Sequence, residues 1–355
     1  MHLDLKRFFK KVLPYELARR EILTDKKFLQ ELELIAARRK TSKQNLITAC
    51  KKYLREISPI YTKNLMLVKA AEFVIRKKII ESFKNIHYSP EHVRIIAELA
   101  DDDIITIVPN HRSVFDFVIL SYIIVKETSY MPMIPAAGVF DIFPMGRFFR
   151  MMGAYFVRRE ESDPLYFLVF RYYVMLIIKY ELMHLFFIEG GRNKDGGYSI
   201  PKKGLLKYLI EGMKKHRVKK DVAFIPVNIC YDYVPESIVV VEEKASGKRK
   251  HIFSSVIKYM TGSNPGNCYI NFGFPVKLSE ISTDSGRFPR VDILGNELMA
   301  AIKSLAIVSP TSLLSHTLLN SARMKIKEFS RKFRLKYKEL RNSGKNVEYI
   351  DPDNI

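Results

Sequence analysis

The stretch that decides the fold is Ile104-Ile105-Thr106-Ile107-Val108-Pro109-Asn110-His111-Arg112-Ser113-Val114-Phe115-Asp116. It opens with an unbroken run of apolar and β-branched residues, which fits a strand buried on both faces. Pro109 closes the run, and a polar turn leads into an apolar segment near 114–126 that we expect to be helical. A strand that passes through a short turn into a helix is the building unit of α/β domains.

The same alternation continues on both sides of this stretch. The predicted strands are Ile104–Val108, Ala154–Val157, Leu185–Ile188, Val222–Ile229 and Tyr269–Phe272, and helical patterns occupy 114–126, 164–180 and 202–215. This order predicts an α/β catalytic domain over residues 91–280, with a mixed, largely buried sheet flanked by helices.

The two ends of the chain have other patterns. Residues 1–90 predict an N-terminal helical region, and residues 281–341 return to helix. From Arg323 to Arg341 the helix is strongly basic, with an apolar stripe made of Ile326, Phe329, Phe333, Tyr337 and Leu340. The stripe fits either an anionic lipid surface or the protein's own core. We expect residues 342–355 to form a disordered tail.

Composition points to an anionic partner. The 355 residues carry a formal net charge of +21, which favours nucleic acid, a membrane surface or a phosphorylated substrate. Cys50, Cys230 and Cys268 are too far apart for a zinc site or a disulfide framework. No apolar run reaches the roughly 18 residues of a membrane span, so we expect any membrane contact to be peripheral or monotopic.

The turn after the first strand contains a possible catalytic pair. If His111 lies in the turn and Asp116 lies in the following helix, the carboxylate can hold one imidazole nitrogen and leave the other free as a general base. A second interpretation stays open, because Ser113 and Asp116 also have the spacing of a helix-capping pattern.

Several other turns place cations after predicted strands. In Phe187-Ile188-Glu189-Gly190-Gly191-Arg192 the glycines allow close approach of a ligand and the arginine can grip a phosphate, although an ordinary Gly-Gly turn would look the same. Further candidates are Gly153–Arg159 and Pro201-Lys202-Lys203-Gly204, with Ile225-Pro226-Val227 in a buried strand. Open α/β sheets bind ligands at such strand ends.

The order of these motifs resembles the glycerolipid acyltransferases with a His-x4-Asp box, most closely the branch that acylates glycerol 3-phosphate or dihydroxyacetone phosphate. Four family blocks occur in family order, at His111–Asp116, Gly153–Arg159, Phe187–Arg192 and Ile225–Val227. The resemblance runs from about residue 50 to residue 320.

The resemblance implies a role for each block. His111 would deprotonate the sn-1 hydroxyl of glycerol 3-phosphate, and Asp116 would orient it. Arg159 and Arg192 would bind the phosphate, with Arg112 and Lys202 as additional contacts. The turn that holds the acceptor would be Glu189, Gly190 and Gly191, and Pro226 would belong to the block with acyl-donor or structural contacts. Asn193 and Lys194 depart from the serine and arginine that are common in the branch.

The resemblance also implies partners and location. We expect glycerol 3-phosphate and an acyl-CoA or acyl carrier protein as substrates, with no metal or prosthetic group. We expect a peripheral enzyme on the cytoplasmic face of an anionic membrane. Gly190-Gly191 favours the glycerol-3-phosphate enzymes, because the dihydroxyacetone-phosphate enzymes more often have Gly-Thr there.

Two alternatives stay open at this point. The first is a dihydroxyacetone-phosphate acyltransferase with the same base and the same phosphate cluster. The second is a basic protein that binds lipid or nucleic acid without catalysis. Of these two ligands nucleic acid is not expected, because the sequence has no recognisable nucleic-acid-binding motif.

Overall fold

The structure is a computed structural model. It describes residues 12–60, 65–138, 141, 145–158, 162–193, 196–237, 266–281, 290–319 and 324–353. Three residues named above, Arg159, Lys194 and Arg323, lie outside these ranges.

Helices make up most of the described chain. In order, they are α1 (Tyr15–Thr24), α2 (Lys26–Arg39), α3 (Lys43–Ile57), α4 (Leu65–Lys78), α5 (Pro90–Asp102), α6 (Asp116–Thr128), α7 (Met145–Met151), α8 (Pro164–Lys179), α9 (Gly204–His216), α10 (Val291–Ser304), α11 (Pro310–Leu319) and α12 (Ile326–Asn342). The strands are β1 (Asn85–His87), β2 (Ile104–Pro109), β3 (Ile134–Ala137), β4 (Ala154–Val157), β5 (His184–Leu185), β6 (Val222–Tyr231), β7 (Asn267–Phe272) and β8 (Val276–Lys277).

The main sheet is mixed. Its order is β1-β7-β6-β2-β5, and β8 pairs with β6 off this path. Strand β2 is parallel to both of its neighbours, β5 and β6, whereas β7 is antiparallel to β6. β3 and β4 form a separate parallel pair. The predicted fold class, a mixed and largely buried sheet flanked by helices, is confirmed.

Strand β2 lies between two apolar layers, as its unbroken apolar run predicts. All six of its residues are buried. Ile104 and Val108 belong to the layer that includes α8 and the N-terminal helices, whereas Ile105 and Ile107 belong to the layer that includes α6. Because strand side chains alternate between faces, a strand covered on both sides must be apolar throughout. The turn at the carboxyl end of β2 is therefore held between two packed layers.

The sheet differs from prediction mainly in its short strands. β1, β3 and β8 were not predicted, since runs of two to four residues are too short to show a period. β5 is only His184–Leu185, so most of the predicted strand Leu185–Ile188 has already left the sheet.

Pro226 sits where β6 changes partner. Phe224 pairs with Val276 of β8, and Val227 pairs with Phe272 of β7. The proline between them lacks an N–H, and the sheet tolerates it at a gap in the antiparallel ladder.

The C-terminal basic helix docks on the protein. Phe329 and Phe333 of α12 are buried against Leu313 of α11, and Tyr337 and Leu340 pack on the same cluster. Of the two possibilities that the sequence left open, the structure shows the protein's own core. Ile326 does not follow the stripe and is 78% exposed.

The expectation of a disordered tail after Asn342 is wrong for the described residues. Val347 and Ile350 are buried in the cluster that holds α12, and Ile307 forms a bridge with Asn346. These two isolated apolar residues stand in a polar segment, so composition alone hides them. Within the described ranges, none of the helices combines the length and the apolar character that crossing a membrane requires.

Candidate active site

The structure brings the predicted catalytic pair together. His111 lies in the turn after β2, and Asp116 is the first residue of α6. Nδ1 of His111 and Oδ2 of Asp116 are 2.8 Å apart. The five-residue spacing works because the turn separates strand from helix, so neither regular period applies.

Asp116 also caps the turn. Its Oδ2 accepts the backbone N–H groups of Arg112 at 2.7 Å and Ser113 at 2.9 Å. Its Oδ1 accepts a 2.6 Å hydrogen bond from the hydroxyl of Tyr231, at the end of β6. Asp116 therefore contacts the imidazole and also caps the turn, and its carboxylate is fully buried.

Tyr231 must donate in this contact. Burial raises the pKa of its hydroxyl well above the usual range, and the charge of Asp116 raises it further. The hydroxyl therefore stays protonated at neutral pH and donates to the carboxylate of Asp116.

A stacking contact also holds the imidazole ring of His111 in place. It stacks on Phe187 with ring centroids 3.9 Å apart and planes 15° apart. The side chain is 11% exposed. Nε2 has no hydrogen-bond partner among the described residues. This imidazole, fixed at Nδ1 and open at Nε2, has the arrangement that a general base needs.

Glu189, in the turn that follows β5, contacts the same turn. Its Oε1 accepts the backbone N–H of His111 at 3.0 Å, and its Oε2 accepts the N–H of Ser199 at 2.8 Å. The buried carboxylate therefore ties His111 to the loop that follows Arg192.

Arg192 is connected to the turn that carries His111 through Glu236, a residue that the sequence does not predict. Its Nη1 donates a 2.6 Å hydrogen bond to Oε1 of Glu236, and the arginine side chain is 15% exposed. Glu236 also accepts from the backbone N–H of Val114 and the hydroxyl of Ser113, each at 2.7 Å. Arg192 and His111 therefore belong to one connected cluster.

Arg112 is held by the loop around residues 197–198. Its guanidinium lies 4.7 Å from the ring centre of Tyr198 and donates to the carbonyl of Gly197.

Lys202 is exposed, and its side chain lies directly against Gly190. A Cβ at Gly190 would meet Cγ of Lys202 at 2.7 Å, and Gly190 has a φ of +67°, so this position requires glycine. Gly191 has open space around it.

Pro226 lies in β6 opposite Val108 of β2. It is buried in β6, where its carbonyl accepts from the N–H of Gly273 at 2.8 Å and its ring packs at that glycine. Of the acyl-donor and structural contacts named for this block, these are structural ones.

Sequence reasoning missed two residues of the cluster. Tyr231 carried a weak signal, because it stands four residues after the fourth block, at the end of the same strand. Glu236 carried none, since it stands in a loop with no motif of its own. Among the described residues, no group of three or more His, Cys, Asp or Glu side chains is arranged to hold a metal ion.

Two family models match the chain. Residues 85–230 match the model described as Acyltransferase, and residues 245–353 match the model of the glycerol-3-phosphate acyltransferase C-terminal region. The chain belongs to the acyltransferase family. The resemblance seen in the order of the motifs is thereby confirmed.

Curated relatives agree with this family. The chain is 31% identical over 310 residues to a glycerol-3-phosphate acyltransferase from Pseudoalteromonas atlantica, and 31% identical over 311 residues to one from Shewanella halifaxensis. Each alignment covers 81% of this chain but 37% of the relative, so the chain spans little more than a third of the length of these relatives.

A solved structure is also similar. It is the 1-acyl-sn-glycerophosphate (LPA) acyltransferase PlsC from Thermotoga maritima, with 15% identity and a TM-score of 0.41, covering 67% of this chain and 78% of that one.

Proposed function

We propose that this acyltransferase is a glycerol-3-phosphate 1-O-acyltransferase that forms lysophosphatidic acid for phospholipid synthesis. The observation that carries the proposal is the cluster in which the His111–Asp116 pair is connected through Glu236 to Arg192. A general base beside a phosphate-binding arginine is what acylation of a phosphorylated alcohol requires. The names of the curated relatives support the same acceptor.

The proposed reaction uses Nε2 of His111 twice. Nε2 takes the proton of the sn-1 hydroxyl while that oxygen attacks the carbonyl carbon of the acyl thioester. The tetrahedral intermediate then breaks its C–S bond, and the proton on Nε2 passes to the leaving sulfur. The carboxylate of Asp116 stabilises the imidazolium between the two transfers.

The acceptor's phosphate would bind to Arg192. Nη1 is engaged by Glu236, and the other guanidinium nitrogens have no hydrogen bond among the described residues, so they can serve two phosphate oxygens. Arg112, Lys202 and Arg159 are the proposed additional cations, with Glu189, Gly190 and Gly191 forming the turn around the acceptor.

The acyl donor is proposed to be an acyl-CoA or an acyl carrier protein. The thioester already carries an activated carbonyl, so a base and a positioned hydroxyl supply the remaining chemistry. We propose that no metal or prosthetic group takes part.

A product assay tests this proposal. Purified protein is supplied with glycerol 3-phosphate or dihydroxyacetone phosphate, each with an acyl-CoA and an acyl carrier protein, and thiol release and lipid products are measured. We expect acylated glycerol 3-phosphate as the main product. Faster turnover of dihydroxyacetone phosphate would replace the acceptor, and no thiol release with any pair would reject the activity.

The membrane contact is proposed to be the outer face of α4, on the cytoplasmic side of an anionic bilayer. One face of this helix packs Val68, Ala71 and Ile75 inward, whereas Met66 and Phe73 on the opposite face are 80% and 53% exposed. Exposed lysines flank this apolar face at positions 69, 77 and 78. Apolar side chains beside lysines suit the surface of an anionic bilayer.

Vesicle sedimentation tests the membrane contact. With vesicles that contain phosphatidylglycerol, changing both Met66 and Phe73 to Asp should reduce the bound fraction strongly. Leu34→Asp is the control, because Leu34 is 63% exposed on α2, outside the proposed face. Equal binding of the wild type and the double variant would remove α4 from the interface.

A further inference from the structure

We propose that Glu236 is a positioning residue that fixes the phosphate-binding arginine relative to the catalytic base. The inference rests on the proposed function and adds a residue that no motif points to. Glu236 lies 44 residues after Arg192 and 123 residues after Ser113 of the box, yet it contacts both.

The geometry of Glu236 distributes its two oxygens over two elements. Oε1 accepts from Nη1 of Arg192 at 2.6 Å and from the N–H of Val114 at 2.7 Å. Oε2 accepts from the hydroxyl of Ser113 at 2.7 Å, and that hydroxyl in turn accepts the N–H of Phe115 at 3.1 Å. A single carboxylate therefore links the guanidinium to the turn that carries His111.

Burial makes this link stiff. Glu236 is 5% exposed, so water competes little for its oxygens, and charge-assisted hydrogen bonds are short and strong in such surroundings. A shorter side chain could not reach both the turn and the arginine, and a neutral one would lose the charge that holds the guanidinium. The carboxylate is thus specified by its reach and by its charge.

The consequence for catalysis is a fixed distance. The acceptor has its phosphate at one end and its reacting hydroxyl at the other, so the site must hold an arginine and an imidazole at matching separation. When Glu236 holds Arg192, the remaining guanidinium donors are already oriented before the acceptor arrives, which reduces the entropy lost on binding.

A purely structural capping role would behave differently. A cap of the turn at Ser113 and Val114 would affect the fold and the turnover with any substrate. A positioning role through Arg192 affects the phosphorylated acceptor and leaves the acyl donor almost untouched. The two roles are separated by which Michaelis constant changes.

The test compares Glu236→Gln with the wild type. Glutamine has nearly the same shape and can still bond to the turn, but it lacks the charge that holds Arg192. We expect the KM for glycerol 3-phosphate to rise about tenfold or more, with the KM for the acyl donor and kcat changed less than about threefold. The matched control is Glu31→Gln, which removes the same charge from the Arg171 pair between α2 and α8 and should leave both constants unchanged.

A binding measurement separates this inference from the proposed function. Titration calorimetry with inorganic phosphate follows the arginine site without turnover, in the wild type, Glu236→Gln and Arg192→Met. Weaker phosphate binding in both variants supports the inference even if glycerol 3-phosphate is not the acceptor. Phosphate binding in Glu236→Gln that equals or exceeds that of the wild type overturns it, because Glu236 would then only compete for the arginine. Equal rises in both Michaelis constants would also overturn it, in favour of the capping role.

Discussion

His111 is constrained at three points by residues from two parts of the chain. Asp116 holds its Nδ1, Phe187 covers its ring, and Glu189 binds its backbone N–H. At the scale of single residues, preorganisation of this kind removes alternative rotamers and tautomers of the base before the acceptor binds. The position of the imidazole is therefore fixed by these neighbours as well as by the conformation of the turn.

Replacing the base should remove most of the turnover. We expect His111→Ala to lower kcat about 10²- to 10⁴-fold, because Nε2 is the proposed proton acceptor. Initial rates with saturating glycerol 3-phosphate and acyl-CoA measure this loss. His87→Ala is the control. His87 lies in the edge strand β1 and stacks on Tyr269 of β7, so this variant should leave kcat unchanged. More than about a hundredth of wild-type activity in His111→Ala would contradict a general base.

Removing the hydroxyl of Tyr231 should weaken the pair without abolishing it. Tyr231→Phe leaves Oδ1 of Asp116 without its donor, which we expect to cost about 1–3 kcal/mol of stability and to lower kcat. Tyr173→Phe is the control, because Tyr173 is also buried and donates to the carbonyl of Leu13 instead. It should affect melting temperature but not kcat. Equal kcat values in the two variants would show that Tyr231 has no effect on the base.

At the scale of elements, β2, its turn and α6 form the unit that carries the site. Their local sequence predicts each part, because the run of buried residues, the proline and the polar turn are all contiguous. The basic helix α12 is different: its stripe fits lipid and protein equally well. Only the presence of Leu313, Val347 and Ile350 beside it decides which surface it covers.

Docking of α12 predicts a stability effect. Phe333 is 2% exposed, so Phe333→Ala should destabilise this part of the chain by about 3–5 kcal/mol. Leu335→Ala is the control on the same helix, because Leu335 is 60% exposed and should change stability by less than about 0.5 kcal/mol. Hydrogen exchange of α11 and α12 measures the difference. Similar protection in both variants would place the stripe elsewhere than on the core.

At the scale of the whole molecule, the core contains a histidine that cannot easily take a proton. His184 of β5 is fully buried beside the hydroxyl of Tyr155, and burial lowers its pKa from 6.5 to about 3. In the unfolded chain it titrates near 6.5, so the unfolded state binds more protons between these two values. Its contribution to stability is complete above pH 6.5 and is lost as the pH falls towards 3.

The protein should therefore lose stability already at mildly acidic pH. Below pH 6.5 we expect the free energy of unfolding to fall, with His184 contributing up to about 1.4 kcal/mol per pH unit. Urea denaturation at pH 7.5, 6.5 and 5.5 measures this slope. His184→Gln keeps a polar partner for Tyr155 without titrating, so it should reduce the slope. A wild-type stability that stays flat over this range would contradict a histidine that is neutral in the folded state.

The local sequence is enough to predict the α/β class, the succession of the main strands along the chain, and the turn between His111 and Asp116. These follow from contiguous patterns, in which burial on both faces and the change from strand to helix are visible locally. Tertiary structure alone decided that Tyr231 supports Asp116, that Glu236 joins Arg192 to the turn, and that α12 covers the protein's own core. The physical reason is distance along the chain: Tyr231 and Asp116 are 115 residues apart, and no local period records which distant side chain will satisfy a buried carboxylate.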